Sequence, residues 1–138
     1  MPSLTRWFIK TSLVYLALAL FTGLFLAIQS MFDVTAFGGL FPIYIHLLVF
    51  GWLTQLVFGV VFWMFPKYSI EKPRGNEALG WWTYASLNAG LILRAIAEPI
   101  QSVQPNPVTG WILVASAGIQ LLAGLTFVIN SWNRVRVK

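Results

Sequence analysis

Four apolar runs, each about as long as a bilayer is thick, set what this chain can become. They are Phe8 to Ile28, Ile43 to Phe65, Leu79 to Ile100 and Val108 to Ile129. A helix needs about 20 apolar residues to cross the hydrocarbon core. In lipid only helices and closed barrels satisfy every backbone N–H and C=O. The runs lack period-2 alternation, which leaves helices. The expectation is an all-α fold: a four-transmembrane-helix bundle forming one integral membrane domain over residues 1–138.

The connections are short: QSMFDVTAFGGLFP, PKYSIEKPRGNEA and QSVQPNP, punctuated by Pro66, Pro73, Gly75, Pro105 and Pro107. Only 9% of residues are charged and mean hydropathy is +0.76, against roughly 25% charged in a soluble domain. The net charge of +5 does not describe a nucleic-acid-binding face, because its cations sit at the edges of apolar runs. Arg6, Lys10, Lys67, Lys72, Arg74, Arg134, Arg136 and Lys138 all fall on one side of a four-span layout; the opposite loops carry only Asp33. The positive-inside rule then puts both termini in the cytoplasm of a bacterial inner membrane. The first run is longer than a signal-peptide core, and AIQSM is a poor cleavage site, so it reads as an uncleaved helix. Trp81, Trp82 and Trp111 read as interfacial belt residues.

Within this layout a few polar residues lie at membrane depth. His46, the single histidine, is about 5 Å below the outer end of the second span, at 1.5 Å per residue. Arg94 and Glu98 of the third span lie about 9 Å and 3 Å from that same end. Four residues apart, they share a helix face. Pairing alone accounts for two such charges; an anion on a bound cofactor is the sharper reading for Arg94, with Glu98 orienting it. On an ideal 100° wheel Phe50, Leu53 and Val57 join His46 as an apolar wall, while Gly51, Gln55 and Gly59 line the opposite face for close helix packing. Asn88 and Gln120 are expected to hydrogen-bond between helices.

A histidine at an interface can simply reach a headgroup or a backbone carbonyl. Zinc or copper requires three or four protein ligands, and the chain has no second histidine and no cysteine. Heme needs fewer, since the porphyrin supplies four ligands and its propionates call for a cation at the depth of Arg94.

The run HLLVFGWLTQLVFGVVFWMFPK, His46 to Lys67, resembles the second helix of subunit I of heme-copper oxidases, in particular the C-type oxidase and nitric-oxide-reductase relatives. That resemblance implies that His46 is an axial ligand of heme b, and that the chain corresponds to one four-helix arc of the larger subunit. Arg94 is matched by depth only. The chain lacks the further histidines of the oxygen- or nitric-oxide-reducing centre, so catalysis by one copy is not expected. A homo-oligomer, dimer or trimer, would bring a second His46 to the iron. The function so implied is a small b-type heme protein in electron transfer, heme handling or gas sensing, with a respiratory redox partner. Two alternatives stand beside it: a small proton-coupled transporter using Glu98, and a non-catalytic assembly subunit of a respiratory complex.

Overall fold

The computed structural model describes residues 1–32, 38–66, 70 and 75–135. Among them the chain forms four long helices: α1 (Ser3–Phe32), α2 (Leu40–Met64), α3 (Glu77–Val103) and α4 (Pro107–Trp132). Each apolar run lies within or nearly within one helix. The helices mostly run beyond the apolar residues, because their ends are capped by polar side chains that lie outside them. Asn76 accepts from the backbone N–H of Ala78 and Leu79 at the start of α3, and Asn106 accepts from Thr109 N–H at the start of α4. Pro107 occupies the first turn of α4, where its missing N–H costs nothing.

Three of the four helices, α1, α2 and α4, are long and apolar enough to cross a membrane, which fits an integral membrane protein. The third is as long, but Glu77, Arg94 and Glu98 together with its Ser, Thr and Asn residues make it more polar than the others. The expectation of four spans is therefore supported by length and apolarity for three of the four helices.

The helices form two hairpins. Along α1 and α2, Gly51 and Gly59 admit the partner helix: a Cβ at Gly51 would stand 2.8 Å from Tyr15 Cγ, and one at Gly59 2.7 Å from Phe8 Cβ. Small residues permitting such approach are how helices associate without a hydrophobic driving force between them. Between α3 and α4 the same role falls to Gly90, over which Gln120 lies, with Ser116 Oγ donating to the Gly90 carbonyl at 2.8 Å. Thr83 and Thr126 share a hydroxyl hydrogen bond of 2.9 Å across this pair. The expected interhelical bonds of Asn88 and Gln120 are instead made within their own helices, to Tyr84 O and Ser116 Oγ. Each finds an acceptor one turn away, so the bridging passes to the shorter Ser and Thr side chains, which reach across where the backbones are close.

The hairpins join where α2 meets α3. Gly39 adopts φ 75°, and a Cβ there would stand 2.7 Å from the Glu98 carbonyl oxygen, so only glycine lets the start of α2 press on α3. At the other end of α2, Arg134 is 1% exposed. Its guanidinium donates to the carbonyls of Phe62, Phe65 and Pro66 at 2.9–3.1 Å. Expected from sequence to be one of the tail's topological charges, Arg134 is instead the C-terminal cap of α2. Lys67, Lys72, Arg74, Arg136, Lys138 and Asp33 lie outside the described residues.

Residues Leu47 to Thr54 of α2 form a π-helix. A four-residue repeat drifts by about 40° per turn in an α-helix; wider i→i+5 turns take up that drift. Four straight columns result. Ile43, Leu47, Gly51, Gln55 and Gly59 are buried, and Ile45, Val49, Leu53 and Val57 are exposed. His46, Phe50, Thr54 and Phe58 form an intermediate column beside the buried one. This overturns the ideal-wheel expectation for Leu53 and Val57, which do not share the His46 face. Leu53 is 49% exposed. Nor is the glycine column opposite His46; it neighbours it.

A candidate ligand cleft between the second and fourth helices

Helices α2 and α4 both pack on α3 but diverge from each other, opening a cleft of about 690 Å³. One wall is the His46 column: His46, Phe50 and Phe58. The other is α4, through Ala117, Gln120, Leu121, Gly124, Leu125, Phe127 and Val128. Arg94 of α3 reaches it from behind. Where the two walls meet, Phe58 and Phe127 stack at 3.8 Å between ring centroids, 8° from parallel. Leu121, Leu125 and Val128 are exposed at the mouth.

His46 is held in a defined state. Its Nδ1 lies 2.8 Å from the Pro42 carbonyl oxygen. A carbonyl only accepts, so Nδ1 is the donor, and in the neutral tautomer that makes this bond the lone pair is on Nε2. The ring lies 5.5 Å from Phe50 at 13° to its plane, which restricts its rotation. Pro42 and Phe50 thus fix the orientation of an imidazole that lines the cleft.

Arg94 and Glu98 form an ion pair at 3.6 Å, with side chains 21% and 12% exposed. The pair is loosely made. Arg94 Nε and Glu98 Oε2 are both buried and lack a hydrogen-bond partner among the described residues. Burying a donor on a charged group without an acceptor costs more than a neutral orphan does, so Arg94 has capacity for an anion beyond Glu98. The sequence reading joined His46, Arg94 and Glu98 in one layer. In the structure His46, Phe50 and Arg94 line the same cleft, Glu98 stands behind Arg94 as its ion-pair partner, and Leu53 is not part of it.

The α4 wall and Phe58 are not anticipated by the sequence, and two of these residues matter most: Gln120, expected only as an interhelical hydrogen-bonding amide, and Gly124. A Cβ on Gly124 would meet no atom within 4 Å. Unlike Gly51, Gly59 and Gly90, it is not spent on helix contact; it keeps the wall of the cleft open. Neither has a sequence signal that separates it from the glycines and amides of the helix interfaces.

Among the described residues no three His, Cys, Asp or Glu side chains gather to hold a metal ion. No protein-family model matches the chain, and no curated protein or solved structure matches it.

Proposed function

We propose that this chain is a small b-type heme-binding membrane protein serving electron transfer, heme handling or gas sensing. One observation carries the reading. An imidazole whose Nδ1 donates to Pro42 shares a cleft with a guanidinium whose Nε has no partner among the described residues. An imidazole whose outer nitrogen is tied to a carbonyl is the arrangement that orients metal-bound histidines and strengthens them as donors. The cleft has the volume of cofactor sites, about 300–1,000 Å³. Its walls are aromatic and aliphatic, with few polar groups.

The residues present fit heme. His46 would hold it through Nε2, Arg94 would bind a propionate, and Phe50, Phe58 and Gly124 would bound the macrocycle. The group would supply a one-electron carrier or a site for a small ligand. The chain's own contribution is orientation and charge: Pro42 and Phe50 fix the imidazole, Glu98 holds Arg94, and a cation beside the site favours the reduced state. In this reading α3 also crosses the bilayer, with Arg94 turned to the cleft and paired with Glu98. Both termini lie in the cytoplasm, as Arg6 and Lys10 suggest, and a second copy covers the exposed mouth at Leu121, Leu125 and Val128. The likeness of His46–Lys67 to oxidase subunit I agrees with the assignment but does not carry it.

Two substitutions test it by absorption spectroscopy of protein purified with added hemin. His46→Ala should abolish the Soret band. Gly124→Leu should also abolish it by filling the cleft, while leaving the helices folded, because the added side chain meets no protein atom at its Cβ. A wild-type protein with no Soret band, or an unchanged band in His46→Ala, refutes the assignment.

A further inference from the structure

The heme reading leaves one coordination position of the iron unassigned, and the shape of the cleft bears on what fills it. His46 projects from the α2 wall. The facing wall belongs to α4 of the same chain, and α2 and α4 meet at Phe58 and Phe127. A group held by His46 in this cleft would have the α4 residues of the same chain as its facing wall. Of the seven α4 residues there, six are Ala, Leu, Gly, Phe or Val, and none of the seven is a histidine, a cysteine, a methionine or an acid. The remaining one is Gln120.

Gln120 is built in. It is 8% exposed, and its stem lies over Gly90 of α3, where a Cβ would stand 2.6 Å from its Cγ. Its Nε2 donates to Ser116 Oγ at 3.3 Å, and that hydroxyl donates to the Gly90 carbonyl at 2.8 Å. One N–H of the carboxamide is used by this chain of bonds, which leaves a cleft-lining side chain with a second N–H to donate. Depth agrees as well. Measured from the Gly39–Glu98 contact at 1.5 Å per residue, Arg94 is about 6 Å inward, His46 about 10 Å and Gly90, beneath Gln120, about 12 Å. The amide is thus near the level of the imidazole, with the guanidinium nearer the outer end.

We infer that the position opposite His46 is kept free of protein ligands for a small neutral molecule such as a diatomic gas, and that Gln120 is its hydrogen-bond donor. This rests on the heme assignment and narrows its three roles to ligand binding. Gln120 is a binding residue here, acting on the bound ligand and not on the iron.

The test uses the full-length heme-loaded protein in detergent, reduced, with carbon monoxide as the probe. Wild type should bind it stoichiometrically, with a sharp shift of the Soret band. Gln120→Leu should retain heme but release carbon monoxide about fivefold faster, the change that one neutral hydrogen bond supplies, and should move the C–O stretch to higher frequency. Gln120→His should place a ligand opposite His46, giving a low-spin six-coordinate spectrum and blocking carbon monoxide. A reduced wild type that is already low-spin and indifferent to carbon monoxide would overturn the inference while leaving heme binding intact. So would a Gln120→Leu protein with unaltered release rate and stretch. Absence of any Soret band is a different outcome, and removes the heme assignment together with what rests on it.

Discussion

Replacing Arg134 by alanine should destabilise the protein by about 3 kcal/mol, a large effect for a residue one position from the described end of the chain. Helices leave their last carbonyls without intrahelical donors, and α2 has an added difficulty: the residue four beyond Phe62 is Pro66, which has no N–H to offer. Arg134 supplies the donors instead, bonding the Phe62, Phe65 and Pro66 carbonyls, with its guanidinium carbon 5.8 Å and 5.9 Å from the Phe62 and Phe65 ring centroids. Three bonds to a charged group would total about 5–9 kcal/mol at 1.5–3 kcal/mol each. Desolvating a buried cation takes back several kcal/mol of this, while its place at a helix C-terminus adds about 1 kcal/mol. The balance, about 3 kcal/mol, is a change of more than a hundredfold in the folded population. Reversible unfolding in mixed micelles would measure it, with exposed Arg6→Ala as the control for charge loss. Arg134→Lys should recover only part, since an ammonium lacks the planar fork that spans several carbonyls. An Arg134→Ala protein within 0.5 kcal/mol of wild type, roughly the scatter of neutral surface changes, would show that the cap contributes nothing.

Glycines of two kinds should respond oppositely to alanine. Gly59→Ala forces a Cβ against Phe8 and should cost about 1–3 kcal/mol, whereas Gly110→Ala has no neighbour within 4 Å and should be neutral or gain up to about 1 kcal/mol of helix propensity; equal effects in unfolding assays would contradict the packing described. Asn106→Ala removes the cap on Thr109 N–H and should cost about 1 kcal/mol, read as faster hydrogen exchange in the first turn of α4.

Much of the architecture was legible because lipid narrows the choices. Apolar length located all four helices, and Pro66, Pro105 and Pro107 marked turns between them, while the capping roles of Asn76 and Asn106 emerge only from the structure. The apolar runs did not show the true ends, since Ser3, Glu77 and Ser131 are helical although polar. Nor did they show that Arg134 turns inward. A basic residue after a span looks the same in sequence whether it faces water or caps a neighbouring helix. Only the proline at the end of α2 hints at carbonyls in want of a donor. Gln55 is a different case. It is fully buried with both amide atoms unpartnered among the described residues, and neither its sequence position nor the packing accounts for that.

The cleft was half legible, and the missing half has one physical cause. Reading α2 at 100° per residue puts Leu53 and Val57 with His46, and that error grows with each turn of the π segment. Yet the spacing that contradicts the ideal wheel is present in the sequence. Gly51, Gln55 and Gly59 recur every four residues, as do His46, Phe50 and Phe58 at four and eight. In an α-helix such columns would wind around the axis by about 40° per turn, and a straight neighbour follows them only by crossing at an angle. In α2 the widened segment keeps them in one column against α1, and the same widening carries Phe58 round to the side of His46. The glycines that pack α2 on α1 and the aromatics that line the cleft are therefore not independent features. Close packing on one column straightens the next, so a Gly51 or Gly59 substitution that restores α-helical winding should rotate Phe58 away from His46 and narrow the cleft from a distance.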